Sequence, residues 1–158
     1  MRIYREKDYE AMSRRAAQII AAEIAHNPAC LLGLATGSTP EGAYRYLVDW
    51  YKQGLLSFKD VRSVNLDEYV GLAPDHDQSY RYFMQSNLFD HVDIDPANTR
   101  VPDGLTRDAK AFCEEYDAFI RAQGYVDLQL LGIGRNGHIG FNEPGGCFVK
   151  ETHVVDLT

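Results

Sequence analysis

The stretch Cys30-Leu-Leu-Gly-Leu-Ala-Thr-Gly-Ser-Thr-Pro40 decides the fold, because an apolar run passes through a short polar loop straight into a helical pattern. The run at 30–35 predicts a compact buried strand. Apolar side chains then recur at helical spacing until Gly54, and these are Tyr44, Leu47, Val48 and Tyr51. The sequence therefore predicts a strand, a tight loop and a helix in direct succession.

The same alternation runs through the rest of the chain. Further strands are predicted at 61–66, 126–131 and 153–157, and helices at 8–26, 79–89 and 106–123. Loops are marked by Asp95-Pro96 and by Pro102-Asp-Gly104. Short apolar strands separated by amphipathic helices predict an α/β fold: an open, mainly parallel, Rossmann-like sheet with helices on both faces. No repeat or linker interrupts residues 1–158, so we expect one α/β domain.

Composition narrows the class of protein. Hydrophobic residues make up 45% and charged residues 25%, which is typical of a soluble globular protein. The net charge of −7 argues against a nucleic-acid-binding face, and no segment is apolar enough for a signal peptide or a membrane span. Cys30, Cys113 and Cys147 are odd in number and widely separated, which indicates reduced thiols. We therefore expect a cytoplasmic protein without nucleic-acid or membrane partners.

Three polar segments each follow a predicted strand. In open parallel sheets, ligands bind beyond the carboxyl ends of the strands. The segments 36–40, 67–71 and 132–144 all fall at such ends. Their coincidence predicts a small-molecule site at one edge of the sheet.

The segment Thr36-Gly-Ser-Thr-Pro40 has two interpretations. Its backbone N–H groups can bind a phosphate, helped by the positive end of the following helix. The alternative is ordinary capping, either by Thr39 with Pro40 in the first helical position or by Ser38 with Glu41 three residues later. Capping leaves Gly37 unexplained, and a P-loop is excluded because its lysine and glycine spacing are missing. Both interpretations stay open from the residues alone.

Two neighbouring acids, Asp67 and Glu68, follow the strand at 61–66. Adjacent side chains point in different directions, so the two acids can have separate tasks. If Asp67 projects into the cleft, a partly desolvated carboxylate there can act as a base on carbon. The alternative, which this segment favours when taken alone, makes both acids solvated loop residues or a helix N-cap.

The segment Leu131-Gly-Ile-Gly-Arg-Asn-Gly-His-Ile-Gly-Phe-Asn-Glu-Pro144 carries the strongest chemical signal. His138 and Glu143 form a plausible proton-transfer pair at neutral pH. The G-x-G-x-x-G spacing at 132–137 also suggests dinucleotide binding, but residues 138–146 are too rich in glycine and proline for the helix that this motif requires. A hairpin with a type I′ turn at Asn136-Gly137 is a further alternative, which leaves His138 and Glu143 unexplained.

Taken together, the segments 34–40, 65–72 and 131–144 resemble the glucosamine-6-phosphate deaminase family in order and spacing, and the similarity spans essentially all 158 residues. The resemblance implies isomerisation and deamination of glucosamine 6-phosphate to fructose 6-phosphate and ammonium, a hydrolase reaction of amino-sugar catabolism. It implies no redox or organic cofactor. No metal is expected either, because His76, which lies between two acids, has no second ligand cluster.

The resemblance also assigns roles to residues of this chain. His138 would open the pyranose ring with Glu143 orienting its imidazole, and Asp67 would move a proton from C2 to C1. Many family members have aspartate where this chain has Asn136, which cannot ionise and is expected to hydrogen-bond His138 or the sugar. The remaining assignments are to phosphate and substrate binding: Thr36, Gly37, Ser38, Thr39 and Gly137.

Members of this family usually continue well beyond residue 158, with more sheet and helix and with basic residues that help to bind phosphate. We therefore expect the sequence to lack that C-terminal part. The alternatives are a sugar-phosphate lactonase or isomerase on the same fold, or a non-catalytic sugar-phosphate-binding regulator domain. The 65–69 sequence, His138 and Glu143 favour the deaminase. The acidic net charge counts against the regulator.

Overall fold

A computed structural model describes residues 1–147 and 149–157. Helices and strands alternate as predicted, and two short 3-10 turns, Phe89–His91 and Pro96–Asn98, follow the third helix. The elements are α1 (Tyr9–His26), β1 (Leu31–Leu34), α2 (Ser38–Lys52), β2 (Arg62–Asn65), α3 (Tyr80–Asn87), β3 (Thr99–Arg100), α4 (Ala109–Ala122) and β4 (Leu128–Gln129).

The strands form one parallel sheet in the order β3-β2-β1-β4. Leu32 is paired with Ser63 of β2 on one side and with Leu128 of β4 on the other. The chain thus builds outward from β1 in one direction and then returns to add β4 on the opposite side. This reversal creates a switch point between β1 and β4, where ligands bind in sheets of this kind.

Helices cover both faces of the sheet, which confirms the predicted fold class. On one face, Leu32 and Leu34 pack with buried side chains of α1, α2 and α3, including Ile20, Leu47 and Met84. On the other face, Leu31 and Val64 pack against Tyr116 of α4 and its neighbours. Alternate residues of each strand therefore serve opposite cores, as the two-residue period of a strand requires.

Two buried tyrosines fix the carboxyl ends of the strands. Tyr44 of α2 donates a hydrogen bond to the carbonyl of Ala35, just after β1, at 2.6 Å. On the opposite face, the Tyr116 hydroxyl lies 2.8 Å from the carbonyl oxygen of Asn65, the last residue of β2. The loops that leave β1 and β2 therefore start from rigid points, because each is held from a different helix layer.

The strand expected at 153–157 is wrong, because these residues form no strand in the part of the chain that the structure describes. Contacts with α4 hold the segment that precedes them. Thr152 donates its hydroxyl to Asp117 at 2.7 Å, and Glu151 forms an ion pair with Arg121 at 3.2 Å. The segment is thus attached to a helix rather than aligned along β4. None of the helices within the described ranges has the length and apolarity needed to cross a membrane.

Candidate active site

The first functional segment joins β1 to α2, and its geometry differs from the capping that the sequence suggested. The helix begins at Ser38, and its N-cap is Gly37 with φ of 91°, a left-handed value that favours glycine. Neither Thr39 nor Ser38 caps the helix, so both capping predictions are wrong. Residues 37–39 are exposed instead.

The other three α-helices of the described chain each have a side-chain acceptor at the N-terminus. Asp8, Ser79 and Asp108 accept backbone N–H groups of α1, α3 and α4. The α2 N-terminus has no side-chain cap hydrogen bond. First-turn N–H groups need an acceptor, and at α2 an anion can supply it.

The second segment places Asp67 beyond the end of β2 with its side chain half-buried. Burial, and to a smaller extent the nearby charge of Glu68, raises the pKa of this carboxyl from its ordinary 3.8 to about 6. A hydrogen bond from the Phe141 backbone lowers the pKa and offsets part of that rise. Asp67 is therefore ionised above about pH 6 and remains a stronger base than an exposed aspartate.

Glu68 has a different task from Asp67. Its carboxylate accepts the backbone N–H groups of Tyr80 and Arg81, each at 2.9 Å, at the start of α3. Glu68 thus holds the first turn of a helix that lies twelve residues further along the chain, but the N-cap residue of that helix is Ser79, so Glu68 is not the N-cap of the alternative interpretation. Anchoring Glu68 in this way separates the two neighbouring acids and leaves Asp67 facing the third segment.

The third segment is a compact loop after β4. Gly134 donates its N–H to the carbonyl of His138 at 2.8 Å, and Gly137 donates to the carbonyl of Gly134 at 2.9 Å. Asn136 is not among the residues with positive φ, so the type I′ turn at Asn136-Gly137 is wrong. No helix follows the glycines up to residue 147, and the dinucleotide motif lacks its required context, as predicted.

Asn136 links the other polar residues of this loop. Its side-chain amide donates to Glu143 Oε2 at 2.5 Å, and its carbonyl accepts the backbone N–H of His138 at 3.2 Å. The other carboxylate oxygen, Oε1 of Glu143, lies 3.8 Å from Nδ1 of His138. Asn136 therefore hydrogen-bonds the His138 backbone, while Glu143 faces the imidazole.

The three segments meet at the carboxyl edge of the sheet. A β-carbon on Gly140 would stand 2.9 Å from Asp67 Oδ2 and 2.7 Å from Leu66 Cδ2, so the loop after β4 touches the loop after β2. On the other side, a β-carbon on Gly132 would lie 4.0 Å from that of Thr39, which brings the same loop beside α2. The loops that carry the residues singled out from the sequence thus adjoin one another at this edge.

An aromatic cluster that the sequence reasoning missed lies beside Asp67. The ring centroids of Tyr69, Tyr80 and Phe141 lie 4.9 to 5.5 Å apart. The Tyr80 hydroxyl is 3.5 Å from that of Tyr69, and burial raises its pKa. Tyr69 and Phe141 lie inside the quoted segments, so the sequence could have indicated them as site residues. No motif around Tyr80 indicates that it belongs to the site. Within the described ranges, no group of three His, Cys, Asp or Glu side chains is arranged to hold a metal ion.

The family model described as glucosamine-6-phosphate isomerases/6-phosphogluconolactonase matches residues 5–141. The chain is 55% identical over 157 residues to the glucosamine-6-phosphate deaminase of Lachnoclostridium phytofermentans, covering 99% of this chain and 66% of that protein. It is also 55% identical to the glucosamine-6-phosphate deaminase of Clostridioides difficile, covering 100% of this chain and 64% of that protein.

Solved structures agree on the fold. A monomeric glucosamine-6-phosphate deaminase superposes with a TM-score of 0.97 at 46% identity, covering 100% of this chain and 66% of that one. The 6-phosphogluconolactonase of Thermotoga maritima superposes with a TM-score of 0.67 at 20% identity, a likeness of fold alone. The present chain thus spans just under two thirds of the length of these deaminases.

Proposed function

Because this chain belongs to the family of glucosamine-6-phosphate isomerases and 6-phosphogluconolactonases, we propose that the complete protein converts glucosamine 6-phosphate and water to fructose 6-phosphate and ammonium. The relatives named as glucosamine-6-phosphate deaminases, at 55% identity, support this choice within the family. So does the set of side chains around Asp67.

The phosphate of the substrate binds at the start of α2. The exposed amides of Gly37, Ser38 and Thr39 supply hydrogen-bond donors, and the helix dipole favours a negative charge there. The hydroxyl groups of Ser38 and Thr39 are not used for capping and add to this set. The phosphate fixes one end of the sugar and leaves its C1 and C2 end toward the other two segments.

Ring opening is assigned to the loop after β4. The imidazole of His138 moves the proton between the ring oxygen and the anomeric hydroxyl, since histidine can donate and accept near neutral pH. Glu143, 3.8 Å from Nδ1, sets the orientation of the ring, and Asn136 holds Glu143 in turn. Gly137, which closes the turn before His138, brings the backbone close to the substrate.

Proton transfer between carbons is assigned to Asp67. The carboxylate takes the proton from C2 of the open aldose, the electrons of that C–H bond form the C1=C2 double bond of the enolamine, and the C1 oxygen takes up a proton from the ammonium group of the substrate. The acid then returns the proton to C1, which produces an imine at C2. Water adds to this imine and ammonia leaves, so that fructose 6-phosphate and ammonium are the products. The raised pKa of Asp67, about 6, favours this exchange of one proton between adjacent carbons.

One observation carries the proposal: the carboxylate of Asp67 lies against Gly140 and Phe141, in the loop that also carries His138 and Glu143. This contact supports the assignment of Asp67 as the carbon base in one site with the pair His138 and Glu143. A lactonase needs to open an ester and has no use for proton transfer at C2.

The test is a paired assay of the complete protein. We expect ammonium release from glucosamine 6-phosphate and no hydrolysis of 6-phosphogluconolactone above the spontaneous rate. Lactone hydrolysis without ammonium release would overturn the proposal in favour of a lactonase. Asp67→Asn should abolish ammonium release, while Asp75→Asn, which alters an exposed acid of the same connection, should leave it unchanged.

We place this reaction in the cytoplasm. Cys30, Cys113 and Cys147 are all free thiols, which suits a reducing compartment. The partner implied by the proposed reaction is a small sugar phosphate, and the acidic net charge of −7 does not favour nucleic acid.

A further inference from the structure

Tyr9, the first residue of α1, contacts the beginning of α2. Its hydroxyl donates to the carbonyl of Ser38 at 2.7 Å and lies 3.1 Å from the carbonyl of Thr39. The same hydroxyl accepts the backbone N–H of Gly42 at 3.0 Å. One side chain from another helix therefore bonds three backbone groups in the first turn of α2.

These contacts involve the helix ladder itself. In a regular α-helix the N–H of residue 42 donates to the carbonyl of residue 38, four positions earlier. The Tyr9 hydroxyl contacts both of these groups. A side chain that enters the ladder sets the local direction of the peptide units. The Ser38 carbonyl belongs to the same peptide unit as the Thr39 N–H, one of the groups to which the phosphate is assigned, whereas the Thr39 carbonyl is joined to the Pro40 nitrogen, which has no hydrogen.

Close packing fixes the position of Tyr9. A β-carbon on Gly42 would stand 2.3 Å from Ser13 Oγ and 3.0 Å from Cε1 of Tyr9. Ser13 is fully buried, so α1 approaches the α2 backbone as closely as a glycine permits. The Tyr9 hydroxyl is thereby held at the first turn of α2, although the residue is 44% exposed.

We propose that Tyr9 is a positioning residue for phosphate binding, acting through the backbone of residues 38–42. It does not touch the substrate; through the Ser38 carbonyl it sets the orientation of the Thr39 amide, which does. This inference rests on the proposed function, because it takes the α2 N-terminus as the phosphate site. The competing explanation is that Tyr9 only attaches α1 to α2.

The experiment compares Tyr9→Phe with Tyr46→Phe in the complete protein. Both variants remove one hydroxyl between α1 and α2, but the hydroxyl of Tyr46 lies near Glu10, which raises its pKa, and not at the first turn of α2. Binding of inorganic phosphate is measured by calorimetry, and KM and kcat for glucosamine 6-phosphate are measured alongside thermal unfolding.

For Tyr9→Phe we expect phosphate affinity to fall and KM to rise by about 3- to 10-fold, the change that corresponds to one lost neutral hydrogen bond. The value of kcat should stay within about twofold, since the reacting carbons are untouched. Tyr46→Phe should change none of these quantities. Unchanged phosphate affinity in Tyr9→Phe would overturn the inference, as would an equal loss in Tyr46→Phe.

The two proposals fail in different ways. If the parent protein binds phosphate and Tyr9→Phe weakens that binding, the inference stands even when no ammonium is released, and only the proposed reaction is lost. If the parent releases ammonium and Tyr9→Phe leaves both phosphate affinity and KM unchanged, the reaction stands and the role of Tyr9 is lost.

Discussion

Gly140 lies directly against Asp67: a β-carbon at position 140 would stand 2.9 Å from the Oδ2 atom of that carboxylate. The backbone at Gly140 has φ of 60°, a value that residues with a side chain rarely adopt. Because Gly140 lies two residues after His138, this contact fixes the distance between the loops after β2 and β4. The relative placement of the proposed carbon base and the proposed ring-opening pair depends on it.

Replacing Gly140 by alanine should therefore damage catalysis more than folding. The added methyl group must push the loop away from Asp67, and a shift of about 1 Å at a reacting group can lower kcat/KM by about 100-fold. Gly146→Ala is the matched control, because its added β-carbon would meet no atom within 4 Å. Steady-state kinetics of both variants test this, and a fully active Gly140→Ala would contradict it.

The pKa of Asp67 predicts a pH-dependent gain of stability in Asp67→Asn. The folded pKa, about 6, lies above the ordinary 3.8, so ionisation of Asp67 destabilises the folded state as pH rises between these values. Asparagine removes this cost while keeping an acceptor for the Phe141 backbone. We expect the variant to gain about 2 kcal/mol in free energy of unfolding above the folded pKa, discounted for partial exposure, and nothing below the ordinary pKa.

Chemical denaturation at several pH values measures this difference. Asp75→Asn, at an exposed position, serves as the control and should show no pH-dependent gain. A gain that is equal at acid and neutral pH would show that burial of the Asp67 charge is not its cause.

The same carboxyl should set the acid limb of the pH–rate profile. Because the base must be ionised, kcat/KM should fall about tenfold per pH unit below the Asp67 pKa. The midpoint is expected near pH 6. Activity that persists unchanged through this range would exclude Asp67 as the base. Leu66 packs against Gly140, as Asp67 does, so Leu66→Ala should expose Asp67 and move the acid limb to lower pH.

Asn136 and Glu143 should act as one unit in ring opening. The side-chain amide of Asn136 donates to Glu143 at 2.5 Å. Removing either side chain therefore removes the same constraint on the orientation of the His138 imidazole. We expect Asn136→Ala and Glu143→Ala each to lower kcat. The double variant should have a kcat close to that of the less active single variant, which corresponds to a coupling free energy of about 1 kcal/mol or more. Additive losses measured on glucosamine 6-phosphate would show that the two side chains act separately.

Sequence reasoning reached the framework and the location of the site because both depend on short-range patterns. Apolar runs at 30–35 and 61–66 marked β1 and β2, and the loops after them necessarily share one edge of a parallel sheet. The pattern failed for β3, which pairs only Thr99 and Arg100 and is too short for any periodicity. It also failed at 153–157, where Val154, Val155 and Leu157 are apolar but contacts with α4 hold the preceding residues.

Details of the site were set by contacts between distant residues and were out of reach of the sequence. The sequence at 36–40 contains two candidate N-cap residues, Ser38 and Thr39. The path of the chain after β1 makes Gly37 the N-cap instead. The separate tasks of Asp67 and Glu68 follow from where α3 lies. The position of Tyr80 also follows from where α3 lies, because that helix brings its hydroxyl near Thr36 of the loop after β1.

The most direct measurement is hydrogen exchange at C2 of glucosamine 6-phosphate in deuterated water, catalysed by the complete protein and followed by NMR. We predict that Asp67→Asn abolishes this exchange, and that the affinity of the variant for inorganic phosphate equals that of the parent protein. Exchange at the parental rate in Asp67→Asn would contradict the account, because the proton would then be moved by another group.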